Sequence, residues 1–179
     1  MSIFNRRIQR KFLSAFGKGD YGALSRGLAY FSFRLAGQLL ALPAVAVLWI
    51  LRPLAWVKIG KLCHTRLGHL ALNTDLFVRR LNLKKYPDTP VYCFVCDSRG
   101  TANKQLLTMF KRVLRIYESR ALAAMFDGMF PVLGRTPFYQ PLTMNSNEFY
   151  EFTNTNATLS FTEDEIEKGR KLLKEMCAE

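Results

Sequence analysis

Arg66, Gly68, His69, Asn73 and Thr74 lie within nine residues, where an apolar run gives way to a helical pattern. The first backbone N–H groups of a helix lack partners and its dipole is positive there, which suits a phosphate or a carboxylate. Arg66 can make forked hydrogen bonds to phosphate or sugar oxygens. Gly68 lets the backbone approach a ligand or turn through an unusual conformation. His69 and Asn73 are four residues apart and share a helix face, and His69 is a candidate acid or base. The same residues also fit an ordinary helix cap with a surface Arg and a hydrogen-bonded His. A second loop of this kind carries Asp97, Ser98, Arg99, Gly100, Thr101 and Asn103. In open α/β sheets ligands sit outside the carboxyl ends of the strands, so two such loops converge on one cleft. Thr101 or Asn103 is equally suited to capping a helix, with Asp97 ending a strand.

Other chemistries find less support. Cys93 and Cys96 have C-x-x-C spacing, but within a strand positions three apart face opposite sides, which favours buried structural cysteines. A zinc site would need a second pair, and the two histidines, His64 and His69, supply none, so neither metal nor cofactor is expected. The sequence holds no GxGxxG, no P-loop and no nucleophile elbow. Four cysteines without a disulfide framework suit a reducing, cytoplasmic-side location.

The elements that must position these residues alternate. Residues 57–63 are expected to form a strand, 69–81 a helix with Leu70, Phe77, Val78 and Leu81 on one side, and 87–90 a turn. Residues 91–96 follow as a strand, then a helix over 103–113 burying Leu106, Leu107 and Phe110, a strand at 114–117 and a helix over 121–130. This order predicts an α/β layer with a parallel sheet. Residues 134–160 read as loop. The last segment is a helix opened by a capping box of Thr162 and Glu165, with an apolar stripe of Ile166, Leu172, Leu173 and Met176.

The net charge of +12 brackets one apolar segment. Residues 1–34 hold seven basic residues against Asp20, residues 35–51 hold no charge, and residues 52–85 hold eight basic residues against Asp75. That pattern points to a membrane surface rather than to nucleic acid. Residues 1–34 read as a basic amphipathic segment or a loosely ordered basic arm, and 35–56 as a membrane anchor. A kinked span and an in-plane or re-entrant helix are both open, since Pro43 interrupts the stretch and its flanks are equally positive.

The run from Lys61 through Arg66, Gly68, His69, Leu70, Ala71, Asn73, Thr74 and Phe77 resembles the opening signature of a bacterial glycosyltransferase family, R-[IL]-G-H-x-x-x-N-T-[DE]. Leu159, Phe161, Thr162, Glu165, Gly169, Leu172 and Leu173 are similar to the stretch that leads, in that family, into a second domain whose first strand ends in a His-x-Arg-like motif. The resemblance covers residues 57–179. It implies a Rossmann-like domain at 57–160, the N-terminal half of a GT-B-like arrangement, followed by a linker helix at 161–179. It implies a nucleotide-sugar donor held mainly by a C-terminal domain, no metal, and a glycan acceptor in surface-glycan synthesis at the cytoplasmic face of the bacterial inner membrane. On this reading the chain stops short of its second domain and is inactive alone, or pairs with a separately encoded one. The matched residues are Arg66, Gly68, His69, Asn73 and Thr74. The alternative is a non-catalytic, membrane-anchored binding or partner module.

Overall fold

A computed structural model of the chain describes residues 21–86, 90–97, 99–142 and 150–177. The expectations for residues 1–20, for most of the 87–90 turn and for Ser98 lie outside them.

Three parallel strands form the sheet, β1 (Val57–Lys61), β2 (Val91–Cys96) and β3 (Arg115–Glu118), in the order β1-β2-β3. Ile59 stands opposite Cys93, and Cys93 opposite Arg115. Parallel neighbours require crossovers. The first passes through a π-helical turn at His69–Asn73 and helix α2 (Thr74–Asn82), the second through α3 (Lys104–Val113). Asn103 caps α3, its side chain accepting from Leu106 N at 2.9 Å, and Ser119 caps α4 (Arg120–Leu133) in the same way. Of the two expected caps for α3, Asn103 is therefore the one used.

Alternation along β2 sends its side chains into two layers. Phe94 and Cys96 join Phe77, Leu107 and Phe110 beneath α2 and α3, while Val95 faces the other way toward Phe126, Leu133 and Phe138. Cys93 and Cys96 are free thiols, and of the two expected buried cysteines only Cys96 is buried, Cys93 being half-buried. Burial is the main cause that pushes the Cys96 thiol up to about 11, so it stays protonated and inert.

The second layer contains helix α1 (Tyr21–Leu51), 31 residues with Pro43 inside. The expected boundary between residues 34 and 35 is absent: one helix runs through it, because no helix breaker stands there. The helix is long and apolar enough to cross a membrane. Along one stripe it packs on α4, where Gly37 and Ala41 are buried.

Two expected loop regions are more structured. The free edge of β1 is covered by residues 138–140, with Ile59 N donating to Phe138 O at 2.7 Å and Gln140 N to Ile59 O at 3.0 Å. A strand edge leaves backbone groups in need of partners, and this segment supplies them. Beyond it, the short helix α5 (Tyr150–Thr153) is strapped to the α2 region by charge. Arg79 donates to Thr155 Oγ1 at 2.6 Å, and Glu151 accepts from Lys85 Nζ at 2.8 Å and Arg80 Nε at 3.2 Å. Helix α6 (Glu163–Cys177) opens with the expected capping box, Thr162 N reaching Glu165 Oε2 at 2.8 Å and Glu165 N reaching Thr162 Oγ1 at 3.3 Å. Glu165 also pairs with Arg112 of α3.

Glu151 is only 3% exposed. The Lys85 hydrogen bond, helped by Arg80 and opposed by burial, lowers its pKa from 4.5 to about 2. A depressed carboxylate stabilises the fold fully above its unfolded pKa and loses that contribution as pH falls through the folded value. Glu151→Gln is therefore expected to lose ~2 kcal/mol at neutral pH, the scale of hydrogen bonds to charged groups. The gap to the parent should close as pH drops from about 4.5 toward 2, which urea unfolding across that window checks. A gap independent of pH would contradict the assignment.

Candidate functional site

The residues just after β1 and those just after β2 meet at one end of the sheet. Lys61 closes β1 and hands over to residues 62–66, and Asp97 and Arg99 follow β2. His64, 5% exposed, joins the two loops. Its Nδ1 lies 3.2 Å from Leu62 O and its Nε2 3.2 Å from Arg99 O, while Ala102 N donates to His64 O at 2.9 Å. Both ring nitrogens thus face backbone carbonyls, one from each loop. Gly100 makes the turn in the second loop with φ at +71°, a conformation that side-chain-bearing residues avoid.

Between these loops, α1 and α4 lies a cavity of about 580 Å³. Its polar wall is Lys61, Asp97, Arg99, Asp127 and Tyr30, and its apolar wall includes Phe126, Phe130 and Tyr139. Asp127 is the hub. Lys61 Nζ donates to both its oxygens, at 2.5 and 2.7 Å, and Tyr30 OH donates to Oδ2 at 2.5 Å. Burial first, then the bond to Asp127, raises the pKa of Tyr30, which keeps its hydroxyl a donor at neutral pH.

The other carboxylate is held differently. Arg99 N donates to Asp97 Oδ1 at 3.1 Å, and the Arg99 guanidinium approaches both oxygens at 3.4 Å. Burial works against the charged form of Asp97, but the hydrogen bonds and charge of Arg99 outweigh it and lower its pKa. Arg120 stands close by, donating to the Arg26 carbonyl and lying 5.9 Å over the Tyr30 ring. Burial, then the neighbouring Arg99 charge, depresses its pKa. In the cavity wall Lys61 and Arg99 balance Asp97 and Asp127, and Arg120, beside that wall, adds one further positive charge to this end of the sheet.

Of the residues singled out from sequence, Asp97 and Arg99 line the cavity. Arg66, Gly68, His69, Asn73, Thr74, Thr101 and Asn103 do not. Gly68 has ordinary right-handed angles (φ −59°, ψ −44°) and open space beside it, so neither an unusual turn nor a close approach requires glycine there. His69 is exposed, 3.4 Å from the Asn73 amide, which also reaches Leu142 O at 3.3 Å. Thr74 is buried, and its Oγ1 and that of Thr101 have no hydrogen-bond partner among the described residues. The expected helix start is a π-helical turn, a distortion frequent at functional sites.

Lys61, Tyr30, His64 and Asp127 escaped the sequence reading. Lys61 followed from the strand-end rule, but the strand was expected to run on to Cys63. Asp127 carried a signal too: it is the lone acid in the apolar run from Ala121 to Leu133. Among the described residues no three His, Cys, Asp or Glu side chains gather closely enough to hold a metal ion. No family model, curated protein or solved structure matches the chain.

Proposed function

We propose that this chain is the acceptor-side part of a membrane-associated glycosyltransferase: a Rossmann-like N-terminal half of a GT-B-like arrangement, acting with a donor-binding domain that carries the nucleotide sugar. The carrying observation is the cleft at the strand ends, lined by Lys61, Arg99, Asp97 and Asp127, in which Asp127 is held between Lys61 and Tyr30. Strand ends of parallel sheets are where such ligands bind. The resemblance of residues 66–75 and 159–173 to a glycosyltransferase family supports the same reading.

In this reading Lys61, Arg99 and Arg120 attract the phosphate or other anionic part of a lipid-linked or membrane-adjacent acceptor. Asp127 takes the proton from the attacking acceptor hydroxyl, and the Phe126, Phe130 and Tyr139 rings offer apolar surface to a sugar ring. Proton transfer of this kind contributes roughly 10²–10⁴-fold to a rate. The cytoplasmic membrane face is the proposed location, with surface glycan as the product.

The test is sugar transfer from labelled nucleotide sugars to membrane lipid extracts, with the chain joined to its donor-binding domain. Incorporation that falls at least tenfold in Arg99→Ala is expected. Absence of transfer from every nucleotide sugar, with the protein folded, would sink the proposal. A second reading, a non-catalytic partner module, is favoured by α6, whose Leu172, Leu173 and Met176 are exposed. It predicts that the chain forms a stable complex while transferring nothing.

A further inference from the structure

We infer that α1 lies in the plane of an anionic bilayer, with its outward face among the acyl chains, and does not cross it. This rests on the membrane association proposed above and adds how the helix sits.

Packing against the domain decides the orientation. Contacts follow the helix from end to end: the Arg26 carbonyl takes Arg120, Tyr30 reaches Asp127, and Trp49 meets the Phe138 ring edge-on at 5.1 Å. Between them the helices touch backbone to backbone at Gly37 and Gly128. A helix of this length measures ~47 Å, and the hydrocarbon core is ~30 Å thick. A transverse span would therefore carry α4 and the covered edge of β1 into the hydrocarbon. Asp127, Lys61 and Arg120 would follow, together with irregular backbone that lipid cannot hydrogen-bond.

An in-plane helix meets none of these costs. Leu39, Leu42 and Ile50 point away from the domain with 73%, 71% and 73% of their surface exposed, and Leu54 beyond the helix reaches 86%. An apolar groove of about 410 Å³ between Leu40, Pro43 and Val47 of α1 and Ile59 and Met129 extends this surface. Charge identifies the occupant as lipid of negative headgroup. The uncharged stretch is preceded by Arg26 and Arg34 and followed by Arg52 and Lys58. The Arg52 guanidinium lies 5.0 Å over Trp49 and 5.2 Å from Trp56, an arrangement suited to the headgroup boundary. Interfacial helices of this kind sink ~5–10 Å below that boundary.

With two tryptophans, Trp49 and Trp56, the chain permits a direct test of depth once both are replaced. Leu39→Trp and Ile50→Trp, each with Trp49→Phe and Trp56→Phe, report two positions on the outward face. Each is bound to phosphatidylcholine–phosphatidylglycerol vesicles whose acyl chains are brominated near the headgroup or near the bilayer centre. Quenching by the shallow bromines at the same depth for both positions is expected. A transverse helix instead separates the two by ~17 Å, and that result overturns the inference while keeping the membrane association. Leu39→Lys in the otherwise native chain is a second readout. It should weaken vesicle binding at least tenfold, as should vesicles of phosphatidylcholine alone. Absence of quenching at either depth, with the chain self-associating through this face, removes both the inference and the membrane association. Glycosyl transfer would then stand or fall on its own assay.

Discussion

Gly128→Val is expected to lever α1 off α4 and to destabilise the protein by about 3 kcal/mol, the upper part of the range for overpacking. A Cβ on Gly128 would stand 2.0 Å from the Arg34 carbonyl oxygen and 2.9 Å from Gln38 N. One on Gly37 would stand 2.1 Å from the Met125 carbonyl oxygen. These neighbours are backbone atoms, so no rotamer change relieves the clash, and the helices must separate. Small residues at a helix crossing let backbones approach this closely, and any side chain removes the approach. The consequence reaches the cleft, because Tyr30 lies on α1 and Asp127 is the residue before Gly128. Thermal unfolding of the full chain in detergent measures the effect. Gly169→Ala is the control: nothing lies within 4 Å of the Cβ added there, and helix propensity favours alanine by up to ~1 kcal/mol. Equal, small shifts for Gly128→Val and Gly169→Ala would show that the α1–α4 contact is not as close as described.

On the proposed function, Asp127→Asn is expected to lower sugar transfer by about 100-fold or more when the chain acts with a donor-binding domain, within the range for loss of a positioned base. The substitution keeps the side chain's shape and its ability to accept from Tyr30. It removes the charge that Lys61 pairs with and the capacity to take a proton. The stability loss should be only ~1 kcal/mol, since Lys61 retains about a third of its exposure and water can replace part of the pair. Turnover and melting temperature therefore separate: a large fall in the first with a small fall in the second supports chemistry at Asp127. His69→Ala provides the contrast. Turnover kept in His69→Ala and lost in Asp127→Asn places proton transfer in the cleft. The reverse places it at the π-helical turn, as the sequence motif suggests. Equal losses in both, accompanied by unfolding, would point to structural roles for the two residues.

Much of the layer was readable from local pattern. The residues of β2, the cap at Asn103, and the capping box at Thr162 and Glu165 are set by neighbours a few positions away, where propensity and hydrogen-bonding geometry act directly. Asp97 and Arg99 were legible as site candidates for a related reason. A strand end in a parallel sheet points its loop at the same side as its neighbours, whatever the rest of the chain does. Arg66, Gly68 and His69 met that criterion too, yet β1 stops at Lys61, and the chain bends away before reaching them.

The remainder depended on tertiary structure. Tyr30 and Asp127 are 97 residues apart and share no motif, and only the crossing of α1 on α4 brings them together. The 138–140 segment is a run of three residues between Pro137 and Pro141, too short to announce a strand; it pairs because the edge of β1 would otherwise keep unsatisfied backbone groups. By itself the sequence determined an uncharged, membrane-compatible stretch between basic flanks and an alternation of strands and helices. How that stretch sits, and which charged groups meet beside it, was decided by packing. A hydrophobic segment states what it avoids, but its partners are chosen by shape and by backbone groups far away in the chain.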